Sequence, residues 1–285
     1  MQILKFKTTF FSGLAETYPK TEIQSFFNIL VEFRLKLSRI DVALNSDYEI
    51  NTLDLNFLQK ALIDLKKHKP IQYITGETEF YNLPFKVNEH VLIPRPETEE
   101  LVDWIVADSK LETQHSKLNM LDIGTGSGCI PISLAKNLPN TKVSAIDISL
   151  EALKTAEINA QFNNVDIHFI EKDILNTNSL SEVYDVIISN PPYVRELEKD
   201  EMQKNVLDNE PHLALFVENN NPLLFYDKIA DLAKSHLTKN GHLYLEINQY
   251  LGKETADLLN AKGFKNIELR KDIFGSDRMI KATNG

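Results

Sequence analysis

From residue 117 onward the hydrophobic pattern switches repeatedly between two periods. Short, largely apolar runs predict strands over 117–123, 142–146, 166–170, 183–189 and 241–247. Helical spacing predicts helices over 130–137, 150–160, 221–237 and 251–262. Two more strands, 266–271 and 278–281, are expected around Gly275. This alternation predicts an α/β fold: a seven-stranded, mostly parallel, Rossmann-like sheet with helices on both faces. The tail pair is expected to place one antiparallel strand at the far edge.

The front of the chain has a different texture. Ile23, Phe26, Phe27, Leu30 and Val31 keep the spacing of one helix face, in a run without Gly or Pro. A second helix is expected over 53–67, with Thr52 as its N-cap and Leu55, Leu58, Leu62 and Leu65 on its apolar face. Residues 1–70 therefore read as a small helical domain, either a stabilising cap or a module for docking a partner. Over 71–93 aromatic and polar residues mix and Gly76 and Pro84 interrupt, which predicts a β-hairpin linker. Residues 94–285 then form the catalytic domain, its first helix starting at Thr98 or the prolines before it, with Glu99 and Glu100 in the first turn.

Composition adds exclusions. No apolar run approaches the roughly 18 to 20 residues needed to span a bilayer. Met1 to Phe11 lacks the long apolar core and small-residue cleavage site of a signal peptide, so a cytoplasmic protein is expected. A single cysteine, Cys129, excludes an internal disulfide framework and reads as a small buried hydrophobe. The net charge is −10; residues 1–85 carry ten Lys/Arg and ten Asp/Glu, so the whole excess lies on residues 86–285. An acidic catalytic half argues against a nucleic-acid substrate and for a cationic small ligand or a basic protein partner. The seven histidines show no metal-ligand spacing, and no metal is expected.

Candidate chemistry sits at strand ends. Leu121-Asp122-Ile123-Gly124-Thr125-Gly126-Ser127-Gly128 closes one strand and opens a helix, where open α/β sheets bind ligands. A dinucleotide fingerprint would need glycine at 129, and Cys129 stands there. Glycines without a pyrophosphate pattern, beside an acid, suit a positively charged ligand such as S-adenosylmethionine (SAM). Asp147 closes the next strand, where a carboxylate can accept both ribose hydroxyls. Asp173 follows the third strand and could accept from the adenine amino group, with Ile174 packing on the ring.

Asn190-Pro191-Pro192-Tyr193 ends the fourth expected strand. Two prolines remove two N–H donors and fix two φ angles, so the strand must stop. Alone, that reads as a terminator. Beside the glycine loop it reads as a transfer site: the Asn190 side-chain oxygen and the Pro191 carbonyl could accept both N–H bonds of a planar –NH2 group, and Tyr193 could stack on it. Arg95, held between Pro94 and Pro96, hints at a task near the same site.

The run from Asp122 to Gly128 with Asn190-Pro191-Pro192-Tyr193 resembles the class I SAM-dependent methyltransferases of amino nitrogens, whose substrates include adenine, guanine and protein glutamine. Gly76, Phe80-Tyr81, Phe85 and Val91-Leu92-Ile93-Pro94-Arg95-Pro96-Glu97-Thr98-Glu99 narrow the resemblance to the release-factor glutamine methyltransferases, the PrmC/HemK family. Glu210-Pro211-His212-Leu213-Ala214-Leu215-Phe216, Glu246-Ile247, Lys271-Asp272 and Asp277-Arg278 match as well, so the likeness covers nearly the whole chain. It implies methyl transfer from SAM, leaving S-adenosylhomocysteine, to the side-chain amide N5 of the Gly-Gly-Gln glutamine in class I peptide-chain release factors, the proteins of translation termination.

The resemblance implies SAM contacts at Gly124 to Gly128, Asp147, Ile174 and Asn190, with Asp122 and Asp173 added from the reading above. It implies glutamine contacts at Asn190, Pro191, Pro192 and Tyr193, with Arg95 to Glu99, including Glu97, shaping the wall. Catalysis is expected to rest on Asn190, Pro191 and Tyr193, with a monomeric enzyme and no general base. Asn248 stands where the family leads one to expect Gly, and Asn219-Asn220-Asn221 lacks expected glycines; neither position is expected to touch the chemistry. The alternatives are a nucleobase amino-methyltransferase and a SAM-binding regulator without catalysis.

Overall fold

A computed structural model describes residues 1–112 and 117–285, and the chain divides into two compact units. The first comprises Met1–Gly76 with Gln203–Asn209, and the second Glu77–Met202 with Glu210–Gly285. The first unit is helical: α1 (Ile3–Leu14), α2 (Lys20–Leu35), α3 (Arg39–Leu44), α4 (Thr52–Lys66) and α5 (Ile71–Thr75), with the later turn α9 (Lys204–Leu207). Ile3, Phe6, Phe10 and Leu14 bury one face of α1 against Ile23, Phe27, Leu30 and Val31 of α2 and Leu58, Ala61 and Leu65 of α4. The Phe10 and Phe27 rings meet edge to face at 5.9 Å. Helix α1 went unread in the sequence, although its buried positions follow the same periodicity. The N-cap of α4 is Asn51, whose side chain accepts from Asp54 N–H; Thr52 is already the first helical residue.

The start of the expected hairpin is also helical, because Ile71–Thr75 forms α5 and Gly76 ends it in the left-handed region. The hairpin itself is β1 (Glu77–Phe80) and β2 (Leu83–Lys86), turning on Tyr81 and Asn82, both with positive φ. Glu99 accepts from Tyr81 N–H at 2.9 Å, which holds this glycine-free turn onto α6 (Pro96–Glu112). Buried Asn159 of α8 (Leu150–Phe162) takes Lys86 N–H at 2.6 Å and donates to the carbonyls of Lys86 and Ser127 at 2.9 Å. One side chain thus ties the hairpin to the glycine loop.

The main sheet uses β3 (Leu118–Ile123), β4 (Thr141–Asp147), β5 (His168–Glu171), β6 (Tyr184–Ser189), β9 (Leu237–Glu246), β10 (Phe264–Lys271) and β11 (Asp277–Asn284). The short pair β7 (Val194–Arg195) and β8 (Phe216–Val217) stands apart from it. The sheet order is β10-β11-β9-β6-β3-β4-β5, parallel from β9 through β5. Successive residues face opposite layers: Val186 and Ile188 pack with α6 and α7 (Cys129–Asn137), and Ile187 with α10 (Leu224–His236) and α11 (Gly252–Ala261). Burial on both faces explains why β6 is apolar throughout rather than alternating.

The tail corrects one expectation. The antiparallel strand β11 lies between β9 and β10, not at the edge. Met279, Ile280 and Ala282 make β11 the buried member of the pair, while β10 carries Lys265, Glu268, Arg270 and Lys271 outward. A charged strand can take the edge and an apolar one cannot.

Replacing Asn159 with Ala would strand the Lys86 and Ser127 backbone groups. A loss of about 1–3 kcal/mol is expected from unmet buried hydrogen bonds, read as a lower urea midpoint by circular dichroism.

Candidate functional site

The carboxyl ends of β3, β4, β5 and β6 open into one cavity of about 440 Å³, a size suited to a small ligand. It lies where β4 and β6 leave β3 in opposite directions, the switch point of an open parallel sheet. Ser189 fastens that point by donating its hydroxyl to the Ile123 carbonyl at 2.7 Å.

The glycine loop forms one wall. Gly124 and Thr125 N–H both donate to Ile146 O, at 2.8 and 3.0 Å, and Gly126 N–H donates to Asp147 Oδ2 at 2.8 Å. Gly126 has φ +55° with nothing within 4 Å of where a Cβ would stand, so the backbone is bare towards the cavity. Gly128 has φ +80°, and a Cβ there would lie 2.9 Å from Ile132 Cδ1 and 3.1 Å from Ala156 Cβ. Only glycine suits that place.

Of the residues singled out in the sequence, Arg95, Gly124, Thr125, Gly126, Ser127, Asp147, Asp173, Ile174, Asn190, Pro191 and Pro192 line this cavity. Asp147 faces it with its oxygens already accepting from Gly126 and Ser149 N–H. Asp173 accepts from Leu175 N–H at 2.9 Å and from the Asn176 amide at 2.6 Å. Asp122 stands behind the wall, wholly buried; among the described residues no donor lies at full hydrogen-bond distance from either carboxyl oxygen, and the buried Thr125 hydroxyl, which has no other partner, is near enough only to stabilise the carboxylate weakly. Burial pushes the Asp122 carboxyl up to about 7. Leaving a buried carboxyl unmatched is costly, and the cost is understandable where a bound ligand supplies positive charge or donors nearby.

Gly128, expected to touch the ligand, does not line the cavity, and two expected wall residues are placed elsewhere. Tyr193 does not line the cavity: its ring packs on the α10 side of the sheet and its hydroxyl donates to Glu246 Oε1 at 3.0 Å. Stacking of Tyr193 on a ligand is therefore not what this structure presents. Glu97 is half-buried and also outside the lining. Asn248, expected to stand apart, donates to the Tyr193 carbonyl at 2.9 Å and to the Glu198 carboxylate. A side chain where glycine was expected thus holds the main chain of the Asn190–Tyr193 corner.

Sequence reasoning named the supports of the site, as wall or motif residues, but missed the bonds that make them supports. Glu210 is buried and binds Arg95 Nη2 at 2.6 Å, while its other oxygen accepts from Ile93 N–H at 3.3 Å. Thr98, 2% exposed, lies between Asn190 and Glu246: the Asn190 amide donates to its Oγ1 at 3.3 Å, and its hydroxyl donates to Glu246 Oε2 at 2.6 Å. Arg278 donates to the Tyr193 hydroxyl at 3.4 Å and to Asp272 Oδ2 at 3.1 Å. Burial raises both the Glu246 carboxyl and the Tyr193 phenol. Glu246 and Arg278 had appeared only as motif letters, since no local spacing links residues 148 positions apart. Burial also pushes the Cys129 thiol up to about 12, leaving it inert. Among the described residues no cluster of three potential metal ligands occurs, and no helix is long and apolar enough to cross a membrane.

Residues 106–215 match the methyltransferase small domain, and residues 12–76 match the PrmC N-terminal domain. The chain is 57% identical to a release factor glutamine methyltransferase of Flavobacterium psychrophilum, over 99% of each chain. It is 42% identical to one from Bacteroides thetaiotaomicron, over 95% of this chain and 96% of the other. The fold matches a Pyrococcus furiosus methyltransferase with TM-score 0.50 at 18% identity, covering 72% of this chain and 91% of that one. It also matches a Thermus thermophilus 16S rRNA methyltransferase with TM-score 0.52 at 15% identity, covering 73% and 50%. At such identities these two structures speak for the fold alone.

The Asp122 carboxyl makes stability depend on pH. Its folded value lies above the ordinary carboxylate value of roughly 4, so the ligand-free fold holds this proton more tightly than the unfolded chain does. That stabilisation is present at low pH and is lost as pH rises through about 7. Replacement Asp122→Asn is expected to raise the urea midpoint of ligand-free protein at pH 8 and to leave it near wild type at pH 4; equal effects at both values would refute this.

Proposed function

The chain belongs to the release factor glutamine methyltransferases, and on that premise we propose that Asn190 and Pro191 present the acceptor glutamine to a methyl donor seated on the glycine loop. It is a SAM-dependent protein methyltransferase. The substrate we assign is the side-chain amide N5 of the glutamine in the Gly-Gly-Gln motif of class I peptide-chain release factors. The observation that carries this reading is the shared cavity. Asn190-Pro191-Pro192 and Gly124 to Ser127 line the same space from adjacent strand ends.

The residues present suit SAM. Bare backbone at Gly126 admits a ligand closely, and the unmatched Asp122 carboxyl lies beside a site that would receive a cation. Asp147 would take the ribose hydroxyls and Ile174 would pack on the adenine, with Asp173 at its amino edge. When bound, SAM supplies a methyl group made electrophilic by its sulfonium.

The chain's own task is orientation. A glutamine amide nitrogen has a delocalised lone pair and attacks poorly. The Asn190 carbonyl oxygen and the Pro191 carbonyl can accept its two N–H bonds, which aligns that nitrogen and favours the growing positive charge on it. Pro191 suits this role because it keeps a carbonyl while lacking a donor. Tyr193 contributes from behind, through Glu246, rather than by stacking. Arg95, fixed by buried Glu210, shapes the rim with Pro192; Glu97 would act there only after movement.

We further assign docking of the protein substrate to the helical unit, Met1–Gly76 with Gln203–Asn209, and catalysis to the second unit, which carries the β1–β2 hairpin. The acidic second part suits a basic protein partner and not a nucleic acid, and a cytoplasmic monomer is the form proposed.

Incubation with SAM and an intact class I release factor should add one methyl group at the Gly-Gly-Gln glutamine, mapped by mass spectrometry. Incorporation into RNA or DNA but not release factor would reject the reading. Asn190→Ala should lower kcat by on the order of 100-fold or more, as loss of a positioned polar group does, with SAM affinity largely kept. Unchanged turnover would remove Asn190 from its role.

A further inference from the structure

We propose that Glu246 is a positioning residue that sets which way round the Asn190 side-chain amide stands, acting through the hydroxyl of Thr98. This rests on the reading of Asn190 as an acceptor for the glutamine amide. The three residues come from separate elements: Asn190 follows β6, Thr98 lies in the first turn of α6, and Glu246 ends β9.

An asparagine amide is nearly symmetric in shape and opposite in chemistry at its two ends. Were Asn190 turned over, its –NH2 would face the substrate's –NH2, donor against donor, and the glutamine could not be held. Something must choose the rotamer, and the bond to Thr98 alone cannot, because a hydroxyl both donates and accepts. The choice is made one residue further back. The Thr98 and Tyr193 hydroxyls and the Arg278 charge oppose the effect of burial and favour the ionised form of Glu246, which can only accept, so the Thr98 hydroxyl spends its single proton on Glu246 Oε2, at 2.6 Å. Thr98 Oγ1 can then only accept, and the Asn190 atom 3.3 Å away has to be the –NH2. The Asn190 carbonyl oxygen is the end left for the cavity.

The second Glu246 oxygen repeats the logic on Tyr193. Its phenol donates to Oε1 at 3.0 Å, and its oxygen accepts from Arg278 at 3.4 Å. Arginine has no acceptor, so the direction of this branch is fixed from both ends. One carboxylate, 1% exposed and held by two hydroxyls, therefore imposes a single polarity on Thr98, Asn190 and Tyr193. Burial keeps water from supplying an alternative partner.

The test uses the full-length enzyme and intact release factor, with Asn190→Ala as the reference. Glu246→Gln keeps the shape but offers a donor, which allows Thr98 to reverse; Thr98→Val removes the hydroxyl and Thr98→Ser keeps it. Glu246→Gln and Thr98→Val should each lower kcat by about 100-fold, the usual scale for a misplaced group. KM for release factor and the SAM stoichiometry and affinity by calorimetry should stay near wild type, and Thr98→Ser should remain active. The double variant should be no slower than its slower parent, because both changes break one relay. The proposal is overturned if Asn190→Ala is inactive while Glu246→Gln keeps its kcat, if Thr98→Val matches Thr98→Ser, or if the two effects multiply. The Thr98 pair alone decides the matter should Glu246→Gln not fold. An active Asn190→Ala would instead overturn the reading on which the relay rests.

Discussion

The divergence of β4 and β6 from the two sides of β3 is the constraint on which the rest depends. Helices packed on both faces leave the strand ends as the place where backbone donors and carbonyls remain available. The fold therefore has to deliver its ligand contacts there. Ser189 pins β6 to β3 at that point, and Asn190 is the next residue in the chain. Stopping the strand one residue later with two prolines turns the end of a central strand into a rigid wall of carbonyl groups.

Around that wall the protein buries carboxyls. Asp122 lies unmatched behind the glycine loop, Glu246 lies behind Thr98 and Tyr193, and Glu210 holds Arg95. The three are handled differently. Glu210 has a guanidinium, Glu246 has two hydroxyls with Arg278 beyond one of them, and Asp122 has, among the described residues, only the nearby Thr125 hydroxyl beyond full hydrogen-bond distance. A buried carboxyl is stabilising only as far as its hydrogen bonds repay desolvation. The ordering runs from structural support, through relay, to a site that awaits a donor.

The glycine loop and the hairpin belong to the same economy of contacts. Asn159 bonds both Lys86 and Ser127, so the loop that receives the ligand is stiffened from the far side by the segment carrying the family's aromatic signature. The loop can be bare towards the cavity because its support comes from behind.

Much of this was legible in the sequence. Periodicity showed the alternating strands and helices, the glycine spacing with Cys129 argued away from a dinucleotide, and Asn190-Pro191-Pro192 marked a strand that must end. These are local properties, carried by steric and hydrogen-bonding rules within a few residues. What the tertiary structure decided was partnership. It seated β11 inside the edge because its apolar residues need two covered faces. It turned Tyr193 away from the cavity, gave Asn248 a hold on the Tyr193 main chain, and brought Thr98 and Glu246 together across 148 residues. Such contacts are set by how layers stack, and no spacing along the chain encodes them.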